Sequence, residues 1–256
     1  MSNISRAFQN GKAFIPFITC GDPDLDTTIA CVKAMAENGA DLIELGIPFS
    51  DPTAEGPVIM EASERALKNK VTTDDIFEMV KEIRKTVSVP MVFMTYANVI
   101  YTYGIERFAK AEAALGMDGL ILPDVPFEEK NEFAPAFQKE GLDFISLIAP
   151  TSDQRVERIA KEANGFVYCV SSLGVTGMRT SLSDAGKQLA ESVHQYTDTP
   201  ACIGFGISNP EQAANMAQAA DGVIVGSAIV KIVAEHGKDA APYVGAFVKS
   251  MKEAIS

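Results

Sequence analysis

The sequence predicts a single domain of 256 residues that folds as a (β/α)8 barrel, the TIM barrel of the α/β class. Two observations predict this fold. Eight short apolar runs recur along the chain, and nearly all are continuous, which is typical of parallel strands buried on both faces. Amphipathic helical segments lie between the runs, and no linker rich in Pro, Gly or Ser divides the chain. A doubly wound open sheet is the alternative.

The elements alternate in order along the chain. The predicted strands are Ala13–Thr19, Asp41–Leu45, Pro90–Thr95, Gly119–Leu122, Phe144–Ile148, Gly165–Val170, Ala201–Gly204 and Gly222–Val225. The first predicted helix, Leu25–Asn38, carries an apolar stripe at helical spacing and ends before Gly39. The other predicted helices are Thr73–Lys85, Glu106–Leu115, Phe127–Glu140, Ser152–Ala163, Asp184–Gln195 and Asn209–Ala219.

Two segments depart from the regular repeat. The segment Ile47–Asn69 is too long for a βα loop and contains an extra helical stretch, Val58–Lys68. Ser171–Leu182 is rich in Gly, Ser and Thr, so we expect it to be a mobile loop. Each segment follows a predicted strand, the second and the sixth, and barrel enzymes place their chemistry at the ends of the strands.

The charge balance and the cysteines exclude several classes of protein. Lys and Arg number 22 against 34 Asp and Glu, a net charge of −12, which argues against binding to nucleic acid or anionic membranes. The four cysteines are far apart in sequence, and neither histidine gives a zinc spacing, so we expect neither disulfides nor metal. The sequence shows no signal peptide and no apolar stretch of 18 residues, which predicts a cytoplasmic protein.

Carboxylates near the second strand are candidate acid–base groups. Glu44 lies inside the apolar run Asp41–Gly46, where a carboxylate is either paired or protonated with a raised pKa. Asp51 and Glu55 lie in the proline-rich segment Ile47–Pro57, where the prolines stiffen the backbone. Each of these acids could equally be structural: Glu44 through a pair at the strand end, the other two in a solvated turn.

Glycines near the carboxyl terminus predict a phosphate site. Gly204–Ser208 and Gly226–Ser227 each follow a short strand and precede a helix, and Gly174–Gly177 follows another strand. In barrels, the loops after the seventh and eighth strands commonly bind phosphate through backbone N–H groups and a helix N-terminus. Tight turns alone would also explain each glycine, and the recurrence at two consecutive strands favours phosphate.

Seven motifs together resemble the α subunit family of tryptophan synthase, and the match covers almost the whole chain. In order they are PFITCGDP (Pro16–Pro23), ELGIPFSDPTAEGP (Glu44–Pro57), YAN (Tyr96–Asn98), PDVP (Pro123–Pro126), GVTG (Gly174–Gly177), GFGIS (Gly204–Ser208) and GSAIVK (Gly226–Lys231). The resemblance implies a barrel lyase that releases indole from indole-3-glycerol phosphate. It also implies a β subunit as partner in an α2β2 complex, with pyridoxal phosphate in that subunit and no cofactor in this chain.

The resemblance also implies roles for individual residues. Glu44 is the catalytic glutamate, Glu55 takes the place of a second carboxylate that is often Asp, and Tyr168 lies beside Glu44. The substrate-binding residues are Phe17 and Tyr96 at the indole, Thr176 in the closing loop, and Gly177, Gly206, Gly226 and Ser227 at the phosphate. Some members have Arg where this chain has Ser172, so a charge contact from that position is in question.

Two rival functions stay open at this point. A non-catalytic barrel subunit could serve only to activate its β partner, if Glu55 misplaces the second carboxylate. A phosphate-binding barrel isomerase of histidine or pentose metabolism is the other rival, although it would lack the proline-rich loop.

Overall fold

The strands of the computed structural model, which describes residues 3–150, 155–170, 185–204 and 206–256, all run parallel in one sheet. The strands are β1 (Ala13–Thr19), β2 (Ile43–Gly46), β3 (Met91–Met94), β4 (Gly119–Ile121), β5 (Asp143–Phe144), β6 (Ser146–Ile148), β7 (Val167–Val170), β8 (Ala201–Gly204) and β9 (Gly222–Val225). Their order in the sheet is β5-β4-β3-β2-β1-β9-β8-β7-β6. The two edge strands are separated by one residue, so the sheet closes into a barrel. The predicted barrel is therefore confirmed, and the open-sheet alternative is wrong.

The predicted fifth strand, Phe144–Ile148, is wrong as a single strand. Its first part pairs with β4 and its second part with β7. Ile145 lies at the change of partner, where its N–H donates to the Leu120 carbonyl at 2.9 Å. The regular strand pairing is interrupted there because the chain passes from pairing with β4 to pairing with β7.

Helices surround the sheet. They are α1 (Leu25–Glu37), α2 (Pro57–Lys68), α3 (Thr73–Arg84), α4 (Ala97–Tyr103), α5 (Ile105–Ala114), α6 (Ala134–Lys139), α7 (Val156–Lys161), α8 (Ala185–His194), α9 (Pro210–Ala217), α10 (Ser227–His236) and α11 (Ala241–Ile255). The extra helix after the second strand, α2, is confirmed. None of the helices in the described ranges is both long enough and apolar enough to cross a membrane.

Two helix predictions need correction. The single helix predicted over Phe127–Glu140 is instead a 3-10 helix, Phe127–Glu132, followed by α6. Pro135 lies in the first turn of α6, where its missing N–H is tolerated, whereas a proline inside one continuous helix would break the hydrogen bonding. Of the predicted helix Ser152–Ala163, the described residues show only α7, and residues 151–154 lie outside them.

The barrel is filled from within and closed at the amino ends of the strands. Inward side chains form one apolar cluster, to which Ile4 and Ala7 of an N-terminal 3-10 helix (Ile4–Phe8) contribute. Asn3 ties this helix down by donating its N–H to Asp118 Oδ1 at 2.8 Å. A second and larger cluster lies between the strands and the helices. The packing leaves the carboxyl ends of the strands as the open face.

Candidate active site

A cavity opens at the carboxyl ends of the strands, with about 540 Å³ of empty space when the part open to solvent is included. Its size is within the usual range for small-molecule sites. The lining residues are Phe17, Glu44, Ala54, Glu55, Ile59, Met94, Tyr168, Gly206, Ile207, Ile224, Gly226 and Ser227. The cavity thus brings together residues from both ends of the chain that the sequence analysis had singled out separately.

Glu44 lies deep in this cavity. It belongs to β2, where it is in register with Phe17 of β1 and Val92 of β3, and only 1% of the residue is exposed. Its Oε1 has no hydrogen-bond partner among the described residues. Burial raises its pKa to about 8, because the charged carboxylate is poorly solvated there. Near neutral pH the group is close to its titration midpoint and can both donate and accept a proton.

Glu55 reaches the same cavity from the segment before α2. Burial raises its pKa to about 7, and a hydrogen bond from the Tyr96 hydroxyl lowers it again in part. Its Oε2 has no partner within the part of the chain that the structure describes. Asp51, the other candidate of this segment, is exposed and outside the cavity, where it accepts a hydrogen bond from Ser50 Oγ at 2.5 Å.

Tyr96 holds the Glu55 segment in place. Its hydroxyl donates to the Glu55 carboxylate and accepts a hydrogen bond from the Ala54 N–H at 3.1 Å. The Tyr96 ring is 2% exposed and stacks on Phe49, with the ring centres 5.3 Å apart. The sequence analysis placed Tyr96 at the indole, but Tyr96 is not among the residues that line the cavity. Its contact with Glu55 was missed because hydrogen bonds between distant segments leave no local pattern.

Tyr168 lies in β7, facing the barrel interior. A Cβ on Gly204, in the neighbouring strand β8, would come within 2.5 Å of the Tyr168 ring, so the absent side chain of this glycine makes room for the tyrosine. Burial and the nearby Glu44 charge raise the pKa of Tyr168 well above its ordinary value. The phenol therefore stays protonated.

Three of the predicted phosphate residues, Gly206, Gly226 and Ser227, line the cavity. Gly226 precedes α10, whose first residue is Ser227, and the first N–H groups of a helix have no partner inside it. These N–H groups and the helix dipole favour an anion. Gly206 has a φ of +81°, a conformation that glycine adopts without strain.

Two of the predicted substrate residues, Thr176 and Gly177, fall in residues 171–184, outside the described residues, as do Ser172 and the loop Ser171–Leu182. The structure adds apolar lining residues that the sequence analysis missed: Ala54, Ile59, Met94, Ile207 and Ile224. Ile59 could have been found, because it lies on the apolar stripe of α2.

The arrangement suits acid–base chemistry on an apolar molecule that carries an anionic group. Glu44 and Glu55 can exchange or hold protons, and the Phe17 ring gives an apolar wall. A side chain at Gly46 would meet that ring at 2.4 Å, so the glycine leaves space for it. The N-terminus of α10 is positioned for the anion.

Comparisons with known proteins agree with this geometry. The family model described as tryptophan synthase alpha chain matches residues 4–256. The tryptophan synthase alpha chain of Lacticaseibacillus casei is 48% identical over 255 residues, which cover 100% of this chain and 96% of that protein. The one from Petrotoga mobilis is 44% identical, covering 98% and 99% of the two chains.

Solved structures give the same result. A structure of Mycobacterium tuberculosis tryptophan synthase superposes with a TM-score of 0.91 at 36% identity, covering 99% of this chain and 98% of that one. A chain of the tryptophan synthase complex from Pyrococcus furiosus gives 0.86 at 37% identity, covering 94% and 98%. By sequence and by structure alike, this chain belongs to the tryptophan synthase alpha chain family.

Proposed function

We propose that this chain is a lyase that cleaves indole-3-glycerol phosphate to indole and glyceraldehyde 3-phosphate in tryptophan biosynthesis. The observation that carries the proposal is the pair of carboxyl groups, buried Glu44 and half-buried Glu55, which face one cavity also lined by Gly226 and Ser227 at the N-terminus of α10. The family membership supports the same reaction.

The reaction is a retro-aldol cleavage. Indole C3 gains a proton, the hydroxyl on the glycerol carbon attached to the ring loses its proton to become the aldehyde oxygen, and the bond from that carbon to C3 breaks. We assign both proton transfers to Glu44, because its raised pKa lets it act in either direction near neutral pH. Acid–base catalysis of this kind contributes about 10² to 10⁴-fold.

Glu55 is assigned to the indole N1–H. A carboxylate that accepts this hydrogen bond stabilises the positive charge that develops on the ring as C3 is protonated, which favours the transition state over the bound substrate. Tyr168 stays neutral beside Glu44, Phe17 flanks the ring, and Tyr96 holds Glu55 for its bond to the ring nitrogen. We assign the binding of the phosphate group to Gly206, Gly226 and Ser227, together with Thr176 and Gly177.

We propose that the complete synthase falls in the carbon–oxygen lyase class, although the step assigned to this chain breaks a carbon–carbon bond. We propose a β subunit as partner in an α2β2 assembly, and the relative from Pyrococcus furiosus is described as a tryptophan synthase complex. Pyridoxal phosphate belongs to that partner in this proposal. That this chain binds no cofactor and no metal, and that it is cytoplasmic, remain predictions.

The alternative of a barrel that only activates its partner is less well supported. It requires the Glu55 carboxylate to be misplaced, whereas Glu55 lines the same cavity as Glu44 and is held by Tyr96. Placing buried Glu44 and half-buried Glu55 in this cavity costs free energy of desolvation, and a barrel that only activates its partner has no use for them.

The test is release of indole from indole-3-glycerol phosphate, followed by ultraviolet absorbance with and without a β subunit. We expect indole and glyceraldehyde 3-phosphate in equal amounts. Activation of a β subunit without any indole release from the purified pair would contradict the proposal and favour the activator.

A further inference from the structure

A partly buried ion pair joins α2 to the loop after β1. Arg65 of α2 donates from Nε to Asp22 Oδ1 and from Nη2 to Oδ2, both at 2.8 Å. Asp22 is 1% exposed, whereas the Arg65 side chain is 33% exposed. A two-point contact between a planar guanidinium and a carboxylate fixes the angle between them as well as the distance. The pair therefore constrains the orientation of α2.

The Asp22 end of the pair is held firmly. The Gly21 N–H donates to Thr28 Oγ1 of α1 at 3.0 Å, and Thr28 is fully buried. Asp24 caps α1 by accepting from the Thr27 N–H at 2.8 Å. The loop is thus tied to the start of α1 on both sides of Asp22, which makes the carboxylate a fixed anchor.

The apolar contacts of α2 do not fix its angle by themselves. Ile59 and Ala62 pack with Phe17 and Val230 against the barrel. Apolar contact is less directional than a two-point ion pair, so such a surface defines the orientation of the helix less sharply. Asn69, just after the helix, adds one directional tie by donating from Nδ2 to the Pro23 carbonyl at 2.6 Å.

The orientation of α2 contributes, together with Tyr96, to where Glu55 lies. The N–H groups of Ile59 and Met60 bond to the Gly56 carbonyl at 3.1 and 3.0 Å, so the backbone after Glu55 is continuous with the helix. Arg65 lies eight residues beyond the first residue, Pro57, about 12 Å along the helix axis. A tilt of the helix would therefore move the Glu55 carboxylate.

We propose that Asp22 and Arg65 are positioning residues for the lyase reaction: their ion pair holds α2 at the angle that aims the Glu55 carboxylate into the cavity. The inference rests on the proposed function, since it assigns Glu55 a part in that reaction. Neither residue lines the cavity, so both act through the helix.

The first variants are Arg65→Gln and the double variant Asp22→Asn, Arg65→Gln. The single variant leaves a buried carboxylate without its partner and loses stability for that reason. The double variant leaves no charge behind, so its unfolding midpoint in urea should lie close to that of the wild type. Arg65→Lys keeps the charge but loses the two-point contact. Lys68→Gln is the matched control, because Lys68 is an exposed cation on the same helix.

A displacement of the order of 1 Å costs about 10²-fold in rate, so we expect kcat of the double variant to fall by roughly 10- to 100-fold. KM should stay within about threefold, since the phosphate site is untouched. The kcat of Arg65→Lys should lie between those of the double variant and the wild type. The kcat of Lys68→Gln should match that of the wild type. A stable double variant with wild-type kcat, or a loss confined to KM, would overturn the proposal.

A second readout does not depend on the reaction. The Ala54 N–H, hydrogen-bonded to Tyr96, reports by hydrogen exchange whether the Glu55 segment stays docked. We expect its exchange to be faster in the double variant and unchanged in Lys68→Gln. Unchanged exchange in the double variant overturns the proposal whatever the activity. If the wild type releases no indole, the proposed function fails, and the exchange result still decides whether the ion pair positions the segment.

Discussion

At the scale of single residues, the two carboxyl groups differ in what holds them. Glu44 is built into a strand, so its position is set by the register of β2 with β1 and β3. Glu55 is on a segment outside the sheet and depends on Tyr96. The strand-borne group is suited to the proton transfers, and the other group depends on side-chain contacts to place it at the ring nitrogen.

Substitutions at Glu55 test its proposed bond to the indole N1–H. A hydrogen bond to a charged group contributes about 1.5 to 3 kcal/mol, so Glu55→Ala should lower kcat/KM by roughly 10- to 150-fold. Glu55→Asp should lose less, because the shorter carboxylate still reaches the ring if the adjoining backbone moves. Steady-state rates of indole release check both. Full activity in Glu55→Ala would mean that Glu44 is the only carboxylate that the reaction uses.

The raised pKa of Glu44 predicts how stability depends on pH. Its pKa is about 8 in the folded chain against an ordinary value of 4.5, so between these values the folded state binds the extra proton. The Glu44 contribution to the free energy of unfolding is therefore complete at low pH and lost as pH rises towards 8. The loss is at most about 1.4 kcal/mol per pH unit.

Urea unfolding at pH 5, 6, 7 and 8 checks this prediction with Glu44→Gln. Gln cannot ionise, so the stability of the variant relative to the wild type should increase steadily over this range. Other titrating groups cancel in the comparison. A difference that stays constant with pH would show that Glu44 keeps an ordinary pKa.

At the scale of elements, the N-terminus of α10 is the proposed phosphate site, and Gly226→Val tests it. A Cβ at this position would already lie 3.3 Å from Phe17 Cδ1, and the two methyl groups of Val would crowd both the ring and the anion. We expect affinity for inorganic phosphate and for the phosphorylated substrate to fall by about tenfold or more, ~1.4 kcal/mol. Calorimetric titration measures this. Unchanged phosphate affinity would remove the site from α10.

The helix α5 carries a buried acid that the proposed reaction does not use. Glu112 is fully buried, and neither of its carboxyl oxygens has a partner among the described residues. Burial and the charge of Asp118 raise its pKa well above the ordinary value. Glu112→Met keeps the volume and removes the unpaired oxygens, so it should raise the free energy of unfolding by about 1 to 3 kcal/mol.

The increase in the free energy of unfolding caused by Glu112→Met should be larger at pH 9 than at pH 6. At the higher pH the wild type must either ionise Glu112 in the interior or hold its proton at a greater cost in free energy. Urea unfolding at both values measures the gain. Glu106→Met, at an exposed position of the same helix, is the control and should change little. A loss of stability in Glu112→Met would indicate that the carboxyl group has a favourable partner.

The elements also show how much of the secondary structure can be predicted from local sequence. Strands such as β1 and β9 match their predicted bounds because a continuous apolar run records burial on both faces. The break at Ile145 depends on which strand pairs on each side, and nothing near Ile145 encodes that. The short helix α4 was missed because seven residues are too few to establish a period, whereas α11 has an apolar stripe that was available and overlooked.

At the scale of the whole molecule, the site depends on contacts between residues far apart in sequence. The sequence predicted the residue types of the site, because an acid inside an apolar run and glycines after late strands each have a physical meaning. It could not predict that Gly204 makes room for Tyr168, that Tyr96 holds Glu55, or that Arg65 pairs with Asp22. Those contacts arise only when the barrel closes and brings the strand ends together.

The central claim is that Glu44 transfers the protons in the cleavage of indole-3-glycerol phosphate, and kcat of Glu44→Gln measures it most directly. Gln keeps the volume and cannot transfer a proton, so we expect kcat to fall by at least about 10² to 10⁴-fold, while affinity for inorganic phosphate stays within a few-fold of the wild type. Indole release by Glu44→Gln at a rate near that of the wild type would contradict the claim.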